Sequence, residues 1–528
     1  MVSIVTCAIS LVFVSLGTVA YLISRVKSSH DAREPPPAPT SIPFVGHLIG
    51  LTRKKFNYFV QLSQQTGFPI FTISLPGQKL YVLAKPDLIP ALQKQYKTLA
   101  FPPVEAKFAS RICGTSPKAQ AILSQNVNGD DGDFGLSMES YAAMRAGLKP
   151  GAIVDDMNRV MIQEVAKALK QLEPASGRSR KIALHTWVRD VMTTATTRSV
   201  YGPMNPYEDK AIANAFWEFE SGLMPILIGI FPSILARKPI AARNKVAKAF
   251  EAYYRAGGLK QASALAQNRY QAEFNNNLPL EDIARYEVGG SIALLVNTVP
   301  AAFWTILLLY ACPGLVEQIR QEIDACIETT VESGAQVKSL DITTLKENCP
   351  LLLSAFQETL RYCSMGTSVR EVVQDTQLGQ WLLKKGAMLQ VPSRVIHQDA
   401  TLWGDDVAEF NPRRFLVEEK HKRPRDICFR AFGGGKTLCP GRHFATDEIL
   451  TVVAVFISKI DMSPVGGVWK LPTTINTNAA AVMMEPDHDI DVEVKMREGY
   501  EGVKWDIQLR KSERIFAMVA EDSPEFVE

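Results

Sequence analysis

Phe432-Gly433-Gly434-Gly435-Lys436-Thr437-Leu438-Cys439-Pro440-Gly441-Arg442 holds one cysteine in a glycine-rich loop that runs into an apolar, helix-like segment. Gly433, Gly434, Gly435 and Gly441 let the backbone reach positive φ and bring amide N–H groups close to one sulfur, where their dipoles stabilise negative charge. Pro440 and Gly441 suit the start of a helix, whose N-terminal end adds positive potential. The loop is built to present a thiolate, although the same composition also makes an ordinary tight turn.

A thiolate is one of the few protein ligands of heme iron, and its electron donation favours O–O cleavage. The pattern Phe-x-x-Gly-x-x-x-Cys-x-Gly resembles the heme-binding loop of the cytochrome P450 superfamily. Three other segments share the resemblance: Glu358-Thr359-Leu360-Arg361 (Glu-x-x-Arg), Phe410-Asn411-Pro412-Arg413-Arg414-Phe415 (Phe-x-Pro-x-Arg-Phe), and a proline-rich stretch, Glu34-Pro35-Pro36-Pro37-Ala38-Pro39, behind an N-terminal apolar run. Order and spacing agree with that family from about residue 35 to residue 485. Either short motif alone is bland, since residues three apart on a helix often pair on a surface. Their joint occurrence in order carries the reading. The resemblance implies a mainly α fold with small β-sheets and heme b between a long central helix and the Cys-bearing loop. It makes Cys439 the axial iron ligand and places Phe432, Gly435 and Lys436 around the cofactor.

With 528 residues, 46% of them hydrophobic and 21% charged, the chain can bury a large core. No linker, repeat or low-complexity tract divides it. We therefore expect a membrane anchor over 1–28, a proline-rich hinge over 29–46 and a single catalytic domain over 47–528. A net charge of +3 is too small to imply nucleic-acid binding, and the basic residues form no aromatic-interleaved patch. The basic run Lys420-His421-Lys422-Arg423-Pro424-Arg425 reads as a solvated loop or as part of a positive patch facing an acidic reductase. Cys7, Cys113, Cys312, Cys326, Cys349, Cys363, Cys428 and Cys439 include no Cys-x-x-Cys pair, against a disulfide framework or zinc site and in keeping with a reducing compartment.

Residues 2–23 are uncharged and long enough to span ~30 Å of hydrocarbon. Arg25 and Lys27 follow, which by the positive-inside rule leaves the catalytic domain on the cytosolic side of the endoplasmic reticulum membrane. A cleaved signal peptide is the rival reading, but the run is long for one and lacks a small-residue cleavage site.

Alternation on either side of Pro76-Gly77 predicts a hairpin from Phe71-Thr72-Ile73-Ser74-Leu75 and Lys79-Leu80-Tyr81-Val82-Leu83. Helical signal dominates from Ser140 to about Tyr310, then Leu315, Val316, Ile319 and Ile323 mark an amphipathic helix, and Leu351–Tyr362 another. Strand-like runs follow within Val369–Val391, Ile490–Val494 and Trp505–Leu509.

Glu358 and Arg361 share a helix face, and a buried ion pair persists only when its remaining hydrogen-bonding groups are satisfied. By resemblance Arg414 completes that network, whose role is assembly rather than chemistry. Arg145, in Tyr141-Ala142-Ala143-Met144-Arg145, resembles the family's Trp-x-x-x-Arg with Tyr for Trp, and Arg370 stands where a strand arginine usually meets a heme propionate. Each has the fork geometry for a carboxylate, and a plain surface arginine is the alternative for both. Thr437 replaces the Arg or His usual two residues before the cysteine, leaving Lys436 as a looser substitute.

Gly289 to Trp304 resembles the helix that crosses the oxygen face of the heme. Where most of the superfamily has an acid followed by Thr, this chain has Val296-Asn297 or, shifted by one, Asn297-Thr298. An Asn can hold a water and donate to bound oxygen but supplies no acidic proton. Pro300 frees a helix carbonyl, giving water a place to bind. A second membrane span is the rival reading, since Ile292–Tyr310 is apolar. Asn-Thr-x-Pro-Ala followed by Phe-Trp, the Glu-Pro-Pro segment, Ile42-Pro43-Phe44-Val45-Gly46 and Thr437 are similar to the subgroup of bile-acid-type sterol hydroxylases and prostacyclin synthase, in fungal microsomal form. That subgroup contains monooxygenases and an isomerase. Leu223-Met224-Pro225-Ile226-Leu227-Ile228-Gly229-Ile230-Phe231-Pro232 is either core or a membrane-dipping lid at a substrate entrance.

The resemblance implies an anchored heme-thiolate monooxygenase oxidising a lipophilic small molecule such as a sterol or terpenoid, with electrons from NADPH–cytochrome P450 reductase. A heme-thiolate isomerase or dehydratase, and a non-enzymatic heme or lipid-binding protein, are the alternatives.

Overall fold

The computed structural model describes residues 30–40, 42, 45–132, 134–174, 178–229, 231–332, 335–418, 424–510, 518, 519 and 522. The expected anchor and the basic run 420–423 lie outside them. The architecture is mainly α with small β-sheets, divided into two compact units, Met1–Phe101 with Ser368–Val395, and Pro102–Thr367 with Ile396–Glu528.

The smaller unit is built on a five-stranded sheet in the order Ile70–Leu75, Gln78–Leu83, Met388–Pro392, Thr367–Val372, Leu99–Ala100. The expected hairpin forms with Leu75 opposite Gln78, because Pro76 fixes φ and Gly77 turns the chain at φ +71°. Alternate residues of its strands, Phe71, Ile73, Leu80 and Val82, pack against Tyr58, Phe59 and Leu62 of the helix Phe56–Thr66. The proline-rich segment is strapped to this sheet: Thr72 N–H donates to Pro36 O (2.8 Å) and Ala38 N–H to Thr72 O (2.8 Å). Glu34 is buried there against Lys79 at 2.6 Å.

The larger unit carries the long helices. The segment Leu280–Ala311 is apolar enough to cross a membrane, yet its second half, Thr298–Ala311, is buried against the helices Leu184–Tyr201, Pro350–Cys363 and Arg442–Lys459. Its all-round apolarity is that of a central helix. Short three-stranded sheets flank the bundle, in the orders Ile460–Pro464, Asp491–Met496, Arg180–Ala183 and Lys504–Gln508, Ala335–Asp341, Ile327–Glu332. The amphipathic helix runs Leu315–Ala325 and buries Leu315, Val316, Ile319 and Ile323, the four positions that its periodicity marks.

Candidate functional site

The cysteine loop folds around its glycines. Gly433 and Gly435 take φ of +77° and +61°, and a Cβ on Gly433 would stand 3.3 Å from Thr437 O. The Cys439 N–H donates back to Phe432 O (3.0 Å) and that of Leu438 to Gly435 O (3.1 Å), closing the loop on itself. Thr437 turns inward, its hydroxyl donating to Gly434 O at 3.2 Å. Immediately afterwards the helix Arg442–Lys459 begins. Burial pushes the Cys439 thiol up, opposed by the N–H groups of Gly441 and Arg442 and by the Arg442 charge. That donor set favours sulfur in its anionic form, and so fits a cationic metal centre at the sulfur.

Two residues hold this loop: Tyr141, which the sequence marks only as the replacement for a tryptophan, and Asp522, which it does not mark. Tyr141, on the helix Leu136–Gly147, donates its hydroxyl to Leu438 O at 2.8 Å, with the Arg145 guanidinium 5.8 Å from its ring centre. Arg145 itself is exposed, as the surface-arginine alternative has it, and its described contact is with the Tyr141 ring of its own helix. Asp522, near the C-terminus, is buried and accepts from Arg442 Nε at 2.9 Å, while Arg442 Nη1 donates to Cys439 O at 3.1 Å. Neither contact leaves a periodic signal in sequence.

Glu358, Arg361 and Arg414 come together as expected. Arg361 Nε and Nη2 meet Glu358 Oε2 and Oε1 at 2.7 and 2.8 Å, a bidentate pair with both side chains fully buried. The remaining Arg361 donors go to the carbonyls of His397 (2.8 Å), Val407 (3.0 Å) and Glu409 (3.2 Å), so all five N–H groups are used. Arg414 Nε reaches Glu358 Oε2 at 3.1 Å, and its Nη1 donates to Trp403 O at 2.9 Å and Asp406 Oδ1 at 3.0 Å. His397 links this network to the cysteine loop. Its Nε2 accepts the N–H of Arg430 at 2.8 Å, so the neutral ring carries its proton on Nδ1, which faces Ser364 Oγ at 3.0 Å.

On the central helix the chain is interrupted at Val296-Asn297, between Leu280–Leu295 and Thr298–Ala311, where Pro300 has no N–H to offer the Val296 carbonyl. Asn297 Oδ1 accepts the N–H of Val482 at 2.8 Å and, more weakly, that of Met483 at 3.4 Å. Only its Nδ2 is without a protein partner among the described residues. Thr298 donates its hydroxyl to Leu294 O at 2.8 Å. Both expected oxygen-side residues are thus tied into structure, Asn297 to a distant loop and Thr298 to its own helix.

Arg370 belongs to the smaller unit. It is buried, donates to Val369 O at 2.8 Å and lies 5.8 Å from the Phe101 ring centre, which removes the surface-arginine alternative. Lys436 lies in the turn Gly435–Thr437 of the cysteine loop.

The family model for cytochrome P450 matches residues 36–491. The chain belongs to the cytochrome P450 family. Membership implies a heme with cysteine-thiolate ligation of its iron and an oxidoreductase activity. The chain is 32% identical to cytochrome P450 monooxygenase nodJ of Hypoxylon pulicicidum over 94% of this chain and 96% of that one. It is 24% identical to cytochrome P450 7B1 of Mus musculus (86% and 89% covered) and 25% identical to a 25-hydroxycholesterol 7-alpha-hydroxylase of Rattus norvegicus (77% and 99%). Among solved structures, retinoic acid-bound cyanobacterial CYP120A1 shares the fold, with a TM-score of 0.68, 20% identity and coverage of 88% of this chain and 100% of that one.

Proposed function

We propose that this P450 is a membrane-anchored monooxygenase of the endoplasmic reticulum that oxidises a lipophilic polycyclic molecule, a sterol or terpenoid, with electrons from NADPH–cytochrome P450 reductase. The observation that carries the reading is the cysteine loop itself, with Gly433 and Gly435 at positive φ and the Cys439 N–H bonded back to Phe432 O ahead of the helix Arg442–Lys459, in a chain whose residues 36–491 match the family. When bound there, heme b supplies activation of dioxygen for insertion of one oxygen atom into substrate.

Each residue then has a definite task. Cys439 would hold the iron, with the Gly441 and Arg442 N–H groups and the Arg442 charge opposing the burial that disfavours its anion. Phe432 and Gly435 shape the loop beside it, and Arg145 and Lys436, in the same unit, would supply cations for the propionates. Glu358, Arg361 and Arg414 fix the segment 397–414 that supports the loop. Asn297 Nδ2 orients a water for proton delivery, with the water rather than the amide carrying the proton.

Membrane access is supported by a short apolar knuckle. Leu223 and Ile226 of the helix Leu223–Ile228 are buried, whereas Ile228, Phe231, Ile234 and Leu235 are 56, 71, 74 and 63% exposed. An exposed apolar group of this size suits contact with lipid and entry of a lipophilic substrate from it. The sterol direction draws on the relative named for 25-hydroxycholesterol 7-alpha-hydroxylation.

A second reading, isomerase or dehydratase, is favoured by the lack of an acid at Val296-Asn297 and by the engagement of Asn297 Oδ1 with Val482. Incubation with candidate sterols, with and without NADPH, reductase and dioxygen, separates the two. Product formation that requires all three supports the monooxygenase. Full-rate conversion without them establishes the isomerase in its place.

A further inference from the structure

We propose that Cys326 and Cys349 form a dithiol that closes to a disulfide by exchange with a small disulfide of the glutathione type, a covalent modification site distinct from Cys439. Their Sγ atoms stand 3.8 Å apart. A disulfide needs about 2.05 Å, so the sulfurs must approach by a further ~1.8 Å. The backbone at both ends permits this. Cys326 follows the last turn of the helix Leu315–Ala325, and Cys349 precedes the helix Pro350–Cys363 with φ −118° and ψ 65°, outside the helical region. Neither residue sits within a rigid helical interior.

The junction is aligned independently of the sulfurs. Glu322, one turn before Cys326, accepts the N–H groups of Leu351 and Leu352 at 3.0 and 3.1 Å, so one helix caps the other. That cap holds the two cysteines face to face.

The pair is asymmetric in a way that sets the order of events. Cys326 is half-buried and the more exposed of the two, whereas Cys349 is buried, and burial together with the neighbouring Cys326 pushes its thiol up. The Cys326 thiolate attacks one sulfur of glutathione disulfide, forming a Cys326–glutathione mixed disulfide and releasing one glutathione thiolate. Cys349 then loses its proton to that thiolate, its sulfur attacks the Cys326 sulfur, and the second glutathione departs as a thiolate that takes a proton from solvent. Two cysteine thiols are oxidised and one glutathione disulfide is reduced to two thiols. The new bond ties the helix Leu315–Ala325 to the start of the helix that carries Glu358 and Arg361.

The test uses the full-length holoprotein in glutathione redox buffers, acid-quenched, alkylated and mapped by peptide mass spectrometry. Wild type should yield a peptide joining Cys326 to Cys349 as the buffer becomes oxidising. Cys349→Ser should instead accumulate a glutathione adduct on Cys326, and Cys326→Ser should leave Cys349 as a thiol. The oxidised wild type should also unfold at a higher temperature than the reduced, a shift absent from both variants. If wild-type Cys326 accumulates the adduct while Cys349 remains a thiol, or if both stay thiols at a ratio that modifies Cys326 in Cys349→Ser, the proposal is overturned. The wild-type map decides the matter even where a variant folds poorly.

Discussion

Asn297 Oδ1 accepts the backbone N–H of Val482 at 2.8 Å, joining the break in the central helix to a loop almost two hundred residues further along the chain. The same loop is held from behind: Met365 N–H donates to Val482 O at 2.7 Å and Trp304 Nε1 to Met484 O at 2.7 Å. Where this chain departs from the usual acid–threonine pair, the departing residue has acquired a structural bond that an alanine, a valine or a leucine would not make.

Asn297→Ala therefore removes two things at once, the Val482 acceptor and the Nδ2 donor. The half-buried Val482 N–H loses its acceptor, which costs at most about 1–3 kcal/mol, so the unfolding temperature should fall. Product per NADPH consumed should fall too, with the difference appearing as hydrogen peroxide. Asn297→Asp keeps an acceptor for Val482 and should preserve the unfolding temperature while changing the coupling ratio. Thr298→Ala should leave coupling close to wild type, because the hydroxyl bonds to its own helix. Uncoupling by Thr298→Ala that exceeds that of Asn297→Ala would assign proton delivery to Thr298.

The Glu358 network makes a second, larger prediction. Removing the carboxylate leaves Arg361 and Arg414 buried without their shared anion, and breaking such a pair costs about 3–5 kcal/mol. Glu358→Ala should yield protein with little bound heme, visible as a reduced Soret-to-280 nm absorbance ratio. Arg361→Lys should fare little better, since three ammonium donors cannot replace five planar ones directed at one carboxylate and three carbonyls. Heme content near wild type in either variant would show that the network is dispensable for assembly.

The contrast between what was legible and what was not follows from range. The cysteine loop, the Glu358–Arg361 pair and the hairpin at Pro76-Gly77 are written in residues a few positions apart, where turn chemistry and helix spacing leave a pattern. The long apolar helix was also legible as an element, and its burial among three other helices decides between core and membrane span. His397, Asp522, the Leu438 carbonyl that Tyr141 reaches and the Val482 partner of Asn297 leave no such pattern, because each acts across 33 to 297 positions of chain through hydrogen bonds. The Cys326–Cys349 approach belongs to the same class: two scattered cysteines in the sequence, one junction in the fold.

Cys439 carries the simplest spectroscopic test. Reduced protein under carbon monoxide should show the red-shifted Soret band of thiolate-ligated heme, and Cys439→Ser should abolish it. Asp522→Asn is the informative companion. It leaves the Arg442 charge uncompensated beside the Cys439 carbonyl, and should move the heme reduction potential upward without removing the band.

Two buried carboxyls predict how stability responds to pH. Glu448 is pushed up to about 8 by burial, against a short hydrogen bond from the Thr196 hydroxyl. Glu220 is pushed up to about 7 by burial and by the Glu485 charge, against a bond from Asn478. Below pH ~4.5 both carboxyls are protonated in the folded and unfolded chain, and neither affects stability. Between there and pH 7–8 the unfolded chain has lost these protons while the folded chain retains them, so the unfolded state binds fewer protons and stability falls as pH rises. The decline is at most about 1.4 kcal/mol per pH unit per group and levels off above the folded value. Glu448→Gln stays neutral at every pH and can keep the Thr196 partner, so its unfolding temperature relative to wild type should rise steadily from pH 4, where Glu448 is protonated in both states, to pH 8. Thermal melts of both proteins across that range provide the check, and parallel curves would show that Glu448 ionises in the folded state as readily as in the unfolded one.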